Sequence, residues 1–315
     1  MEHSNYDVLL LGDYFYDLIY TGLPEFPSLG RECFSTGITS TGGALFITAT
    51  AMRRLGVKVG WVCNFGTDEY SRFVRELAVS EDIDLAWART LDAPFRRITS
   101  ALPLDGERAF VTYADPDPAD YYDYWMEAVD SANFRHLHVG GLFPQEYMQP
   151  LFSRARERGA TISMDCQDAP QLMTSCDWKA MLERVDIFMP NAREARMITH
   201  FDDMQAAVRR LNEWVEVVVV KDGANGAWVA TENQVRLVPG IQAGTVVDTT
   251  GAGDCFNAGF LYGQLVEGVD SHLCARYGNI CGGLSVTGVG GATTAPTHNE
   301  LLDWLAQIAQ ASESE

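Results

Sequence analysis

Between Val57 and Gly223 the chain alternates short apolar runs with longer stretches of helical period, and this alternation restricts the fold more than any other feature. VKVGWVCNFG is followed by DEYSRFVRELAVSEDI, and HLHVGGL by PLFSRARERG. TISMDC, DIFMPN and VEVVVVKDG are interleaved with AREARMITHF and DMQAAVRRLNEW. Short runs with little polar alternation need cover on both faces, which a parallel sheet between two layers of helices supplies. The expected fold is α/β, with a mostly parallel central sheet and helices on both faces. Right-handed crossovers then gather the strand C-termini, and the loops after them, along one edge.

The N-terminus fits the same scheme. Val8 to Leu11 is an apolar run ending at Gly12, as in a buried strand feeding a loop. TGGALFITATAMRRLG reads as a helix opened by Gly42 and Gly43 and stopped by Gly56. Two stretches break the alternation, RECFSTGITST (31–41) and FRRITSALPLDGERAFVTYAD (95–115). Both are rich in strand formers, and the second carries LDGE, an Asp-Gly hairpin signal. They predict a small sheet set over the strand C-termini as a lid, with an edge hairpin of no function as the plainer alternative. The sequence has no repeat, low-complexity region or linker, so residues 1–315 are expected to form a single domain. The tail AQASESE is expected to fray.

The net charge of −20 disfavours binding to nucleic acid or to an anionic membrane. It also requires that any bound phosphate be held locally, by backbone amides, a metal or a few basic side chains. Seven cysteines, an odd number with no CxxC pair, speak against a disulfide framework or a zinc site. No apolar run reaches the roughly 18 residues of a membrane helix. The first residues lack a basic region ahead of an apolar stretch, and a cytoplasmic protein is expected.

DTTGAGDCFNAG, residues 248–259, joins a strand-and-turn segment to a helical stretch of small and apolar residues. Gly251, Ala252 and Gly253 fall at the junction. A helix N-terminus carries unpaired N–H groups and a positive dipole end, and small residues let an anion come close. Asp254 then starts the helix, as a plain N-cap or as an acceptor for the proton of an attacking hydroxyl.

The whole segment DTTGAGDCFNAGF resembles the C-terminal signature of the PfkB-type carbohydrate kinases, also called the ribokinase family: D-T-x-G-A-G-D followed by F-x-x-G. GGALFITATAMRRLG, PNAREA, VVVVKDGANGAWV and NICGGLSVTGVGGATTAP resemble other marks of that family and fall in its order, so the likeness spans about residues 6 to 305. A P-loop is absent from the sequence. The resemblance implies a ribokinase-like fold and ATP-dependent phosphorylation of a small-molecule hydroxyl. It makes Asp254 the general base and Gly251, Ala252 and Gly253 the anion hole. It gives Asn191 and Glu194 a role with Mg²⁺ and phosphates, largely through water, although Asn followed by Glu three residues on is also a capping box. Lys221, Gly223, Gly226 and Asn279 take positions around the nucleotide. Many relatives have threonine where this chain has Lys221, which reaches a phosphate or is simply solvated. Asp248, Thr250, Ser285, Gly288, Gly290 and Thr294 match a monovalent-cation site that would hold K⁺.

On the substrate side the resemblance points to Asp17, with Asp13 as a second candidate, and to Gly42 and Gly43 for close approach of the sugar. Ribokinase-like members carry asparagine where this chain has Ile47. An apolar wall there would count against ribose and raise the weight of a nucleoside. Tyr14, Phe15 and Tyr16 are candidate ring-stacking residues or core aromatics. Arg96, Arg97 and Arg108 would meet an acidic substrate or stand solvated on the hairpin. The expectation is a sugar kinase using ATP and Mg²⁺, with a nucleoside kinase and a silent ligand-binding relative as alternatives. A dinucleotide-dependent oxidoreductase is disfavoured because GDYFYD, not G-x-G-x-x-G, follows the first strand. A homodimer pairing two lids would cover the exposed edge of the small sheet.

Overall fold

In the first strand Val8 and Leu10 enter one apolar core while Leu9 and Leu11 enter another, all four with no accessible surface. That two-sided burial is what an unbroken apolar run requires, and it fixes the strand at the centre of a three-layer arrangement. Each such side chain contributes roughly 1.5–3 kcal/mol relative to exposure. The computed structural model describes residues 5–104, 107–167, 169–232 and 234–313.

Thirteen strands are described: β1 Asn5–Leu11, β2 Tyr14–Thr21, β3 Gly37–Ala44, β4 Val59–Phe65, β5 Ala88–Thr90, β6 Arg97–Leu104, β7 Glu107–Ala114, β8 Asn133–Val139, β9 Thr161–Met164, β10 Ile187–Phe188, β11 Val217–Lys221, β12 Gly226–Thr231 and β13 Gln234–Pro239. Nine form the main sheet in the order β13-β12-β11-β10-β9-β8-β1-β4-β5. Its pairs are parallel from β11 to β5, and antiparallel only where β12 meets β11 and β13. β3-β2-β6-β7 form a separate four-stranded sheet. The expected α/β architecture with a small second sheet is what the chain adopts.

Four local expectations are corrected. The segment after Gly12 is no loop but β2, central to the small sheet. Its period of two sends Phe15, Asp17 and Ile19 to one face and Tyr14, Tyr16 and Leu18 to the other. Gly42 and Gly43 end β3 instead of opening a helix, and the helix Leu45–Arg54 starts after them. Glycine is required because a Cβ at 42 would lie 2.3 Å from the Phe46 ring and one at 43 would lie 2.1 Å from Asp17 Oδ2. Residues 31–36 are irregular and mostly exposed, so the strand anticipated over 31–41 begins only at Gly37. The Asp105-Gly106 turn lies outside the described residues, but β6 and β7 on either side pair antiparallel as a hairpin should. Helix continues through Glu313, where fraying was expected; Ser314 and Glu315 lie outside the described residues.

Candidate active site

The motif helix, Ala252–Tyr262, is capped by Gly251 in the left-handed conformation at φ 72°. No side chain caps it, so Asp254 is not an N-cap. Its carboxylate accepts instead from Thr48 Oγ1 at 3.0 Å, on the helix Leu45–Arg54. The chain therefore brings together two elements about 200 residues apart in sequence, within the separation of 206 that this bond spans. Burial and the neighbouring Asp165 push Asp254 up to about 7, against the pull of Lys221 and the Thr48 hydrogen bond. A carboxyl poised there suits proton transfer near neutrality. Of the three anion-hole candidates, Ala252 donates its amide to the Thr249 carbonyl at 3.3 Å. Gly251 lies against Gly291 and Ile47, and Gly253 lies beside Lys221.

Asp17, on β2, is 7% exposed, and burial followed by repulsion from Asp254 and Asp248 raises it to about 7. Two carboxyls held near neutrality thus face each other, one from the motif helix and one from the small sheet. Asp13 is placed differently. Its Oδ1 accepts from the Asn64 backbone and side-chain amides, its Oδ2 from the Tyr121 hydroxyl, and Arg97 stands 3.7 Å away. With Gly12, Phe15, Arg97, Asp117 and Gln167 it lines a cleft of about 150 Å³.

Ile47 is not a wall of this cleft. It is 1% exposed and packs under Gly251, where a Cβ would come within 2.6 Å of its Cδ1. The aromatics divide. Phe15 lines the cleft, Tyr14 is buried with its hydroxyl at Ser71 and Phe95, and Tyr16 packs edge-on against Tyr70 and Phe73. The arginines divide too. Arg96 pairs with Asp115 on the outer hairpin, whereas Arg97 is bound by Asp117 within the cleft. Arg108 of β7 reaches the motif, donating to Thr250 Oγ1 at 2.8 Å and standing 3.5 Å from Asp248.

The nucleotide-side residues cluster at the ends of β10, β11 and β13. Asn191 and Glu194 form the full capping box of the helix Ala192–Thr199, with Glu194 3% exposed. Asn191 also bridges to Lys221 in parallel fashion, which sets the capping box beside β11. Gly223 and Gly226 have φ of +56° and +104°, and Gly226 packs onto the Val238 carbonyl, leaving no room for a side chain. Asn279 donates both to Val238 O and to Pro239 O at 3.0 Å, so its amide ties the helix Ser271–Ser285 to β13 and is committed to packing. Lys221 is not solvated. Its Nζ lies 2.8 Å from Asp165 Oδ2 and 3.2 Å from Asn257 Oδ1.

Asp248 accepts from the Thr250 amide and hydroxyl through Oδ1 and from the Gly290 amide through Oδ2. Thr294 Oγ1 donates to the Ser285 carbonyl at 2.5 Å, and its methyl is what a Cβ on Gly288 would strike. The six residues matched to a cation site are therefore brought to one place.

Sequence reasoning missed Thr48, Asp165 and Asn257. Asp165 was findable as an aspartate directly after a strand, at the edge where ligands bind in such sheets. Thr48 and Asn257 stand in helical stretches that read as packing.

The profile described as pfkB family carbohydrate kinase matches residues 7–298. An uncharacterized sugar kinase of Archaeoglobus fulgidus is 33% identical over 233 residues, 72% of this chain and 91% of that protein. A fructokinase of Klebsiella pneumoniae is 29% identical over 94% of this chain and 98% of its own length. Among solved structures, ribokinase of Arabidopsis thaliana with ribose and ATP superposes with a TM-score of 0.75 at 20% identity, covering 95% of this chain and 98% of that one. With the signature helix, the glycine cap and the paired sheets already in place, a match over nearly the whole chain settles its kinship: the protein belongs to the pfkB family of carbohydrate kinases.

Proposed function

We propose that this ATP-dependent kinase phosphorylates a hydroxyl of a sugar or sugar derivative, with Asp254 taking the proton of the attacking hydroxyl. One observation carries the assignment: Asp254 sits in the first turn of the glycine-capped helix, buried and poised near 7, opposite Asp17. Asp17 accepts from the acceptor's hydroxyls, and Gly43 lets that carboxylate lie against β3. The backbone of Gly251 to Gly253 meets the charge that builds on the transferring phosphoryl oxygens. ATP lies along β11 to β13, past Lys221, Gly223 and Gly226. Mg²⁺ would be held beside Glu194 mainly by phosphates and water, as its reluctance to lose hydration favours. K⁺ would sit among Asp248, the Thr250 carbonyl, Ser285, Gly288, Gly290 and Thr294. We place the enzyme in the cytoplasm, where its ATP is found and where seven unpaired thiols persist.

The sugar reading is preferred to the nucleoside reading. A cytidine kinase of Thermococcus kodakarensis is 29% identical over 246 residues, so the nucleoside class remains within reach of the fold. But Ile47 is spent on Gly251, and Asp13, Arg97, Asp117 and Gln167 make the cleft a reader of hydroxyls. The test is ADP release from Mg²⁺-ATP, with K⁺ or with tetramethylammonium, across free sugars, sugar acids, sugar phosphates and nucleosides. A sugar-class hit that needs K⁺ is expected. A nucleoside hit alone overturns the substrate class, and equal rates without K⁺ overturn the cation site.

The small sheet is read as a lid, because it delivers Asp17 and Arg108 to the motif. Cutting back the β6–β7 hairpin should raise KM for the acceptor and give ADP release without acceptor, as water enters. Unchanged KM and no futile hydrolysis would show that it covers nothing. Its outer face exposes Ile38, Val111 and Tyr113 at 50% or more. A second copy pairing lid to lid covers that face, and sedimentation velocity should show a dimer; a monomer at all concentrations refutes it.

A further inference from the structure

Asp165 stands just past β9, Lys221 ends β11, and Asn257 lies one turn into the motif helix. The three close a triangle. Lys221 Nζ donates to Asp165 Oδ2 at 2.8 Å and to Asn257 Oδ1 at 3.2 Å, and Asn257 Nδ2 donates back to Asp165 Oδ2 at 2.5 Å. Asn257 has no accessible surface, and the Lys221 and Asp165 side chains keep 14% and 12% of theirs, so the ion pair is largely withdrawn from water and must be well partnered to persist. An ammonium has three protons to give. Two are used in the triangle, and among the described residues the third has no acceptor.

The location matters more than the pair. A Cβ built on Gly253 would lie 3.5 Å from Lys221 Nζ, an ordinary contact distance, so the ammonium stands beside the backbone of the anion hole. The groups facing this ammonium come from every neighbouring element: His138 of β8, Asp165 and Cys166 after β9, and Asp254 and Asn257 of the motif helix. Burial and Lys221 hold His138 down at about 3, so it stays neutral and does not compete for Asp165. Asp254 in turn faces Asp17 from β2, Thr48 from the first helix, Asp165, Lys221 and its neighbour Cys255. Among these groups Lys221 is the one that brings a positive charge.

We propose that Asp165 and Asn257 are positioning residues that fix the Lys221 ammonium behind Gly253, where its charge offsets that of Asp165 beside Asp254 and supplies a cation for the transferring phosphoryl group. The inference rests on the kinase assignment for its second half only. Asp165 accepts one N–H of Lys221 and Asn257 accepts a second, while the third serves the anion. Asn257 locks the angle between them.

The two charges of the triangle act on Asp254 with opposite sign, which a merely structural role would not do. In protein labelled with ¹³C at the aspartate carboxyls, without nucleotide or metal, the Asp254 resonance is identified by its loss in Asp254→Asn and followed against pH. Lys221→Met should move its midpoint up by about one pH unit or more, and Asp165→Asn should move it down. Lys221→Arg should restore it. The double variant Lys221→Met/Asp165→Asn removes the pair as a unit, leaves no unpaired buried charge, and should titrate close to the parent. Midpoints that stay put, or that move the same way in both single variants, overturn the proposal. With the acceptor found by ADP release, Lys221→Met should lower kcat about 100-fold at unchanged KM, a loss on the scale of one anion-hole donor, and Lys221→Arg should recover part of it. Full kcat in Lys221→Met overturns the phosphoryl role. If the parent turns over no acceptor, the kinase assignment fails while the titration still decides whether the triangle governs Asp254.

Discussion

Asp254→Asn should lower turnover by roughly 10²–10⁴-fold, the range of a lost general base, while Mg²⁺-ATP binding measured by calorimetry changes little. The same substitution should make the ligand-free protein more stable above neutrality. The sign follows from the direction of the shift. Asp254 is raised from its ordinary carboxyl range to about 7 on folding, so the folded protein binds this proton more tightly than the unfolded chain. Stability associated with it is fully present below about pH 4 and is lost as pH rises through 7. Asparagine resembles the neutral acid and carries no such loss. The gain should be on the order of a few kcal/mol at pH 8 and shrink towards zero at pH 4. Activity runs the other way with pH. Both Asp254 and Asp17 must shed their protons, so kcat/KM should climb between pH 5 and 8. Full turnover in Asp254→Asn would remove the base assignment, and a stability difference independent of pH would show that its charge is not what the fold tolerates at a cost.

That cost explains why part of the site could be read from sequence and part could not. The phosphate-handling motif is contiguous, because one helix N-terminus supplies the glycine cap, the amides and the base together. Alternation of apolar runs gave away the main sheet for a similar reason, since buried parallel strands are locally apolar. What stayed hidden depends on distant partners. β2 looked like a loop because its Tyr, Phe and Asp residues are divided between two faces whose neighbours are α-helical on one side and the motif on the other. Gly42 and Gly43 resembled a helix start, although what demands glycine is the Phe46 ring and the Asp17 carboxylate. Ile47 suggested a substrate wall because only the fold reveals that its Cδ1 lies under Gly251. Lys221 could be solvated or bound until Asp165, 56 residues earlier, was seen beside it.

The contact between Ile47 and Gly251 supports the second large effect, that of Gly251→Ala. Gly251 holds φ at 72°, a region in which an L side chain costs about 1–2 kcal/mol. The new methyl would also lie 2.6 Å from Ile47 Cδ1 and 3.0 Å from the Gly291 Cα, and backbone cannot step aside as a side chain can. Gly251 must then move. Its carbonyl accepts the first helical bond, from the Cys255 amide at 2.9 Å, so its displacement tilts the turn that carries Gly253 and Asp254. Turnover should fall by about 10²–10³-fold, the loss expected when anion-hole donors leave their places. Ile47→Val removes Cδ1 and leaves Cγ2, 3.1 Å from the added atom. The double variant should therefore regain stability in thermal unfolding relative to Gly251→Ala, because the side-chain overlap is relieved. It should regain little turnover, because the left-handed φ and the contact with Gly291 remain. Recovery of turnover along with stability would mean that Ile47 alone sets the position of the loop, and that the conformation of Gly251 contributes nothing to phosphoryl transfer.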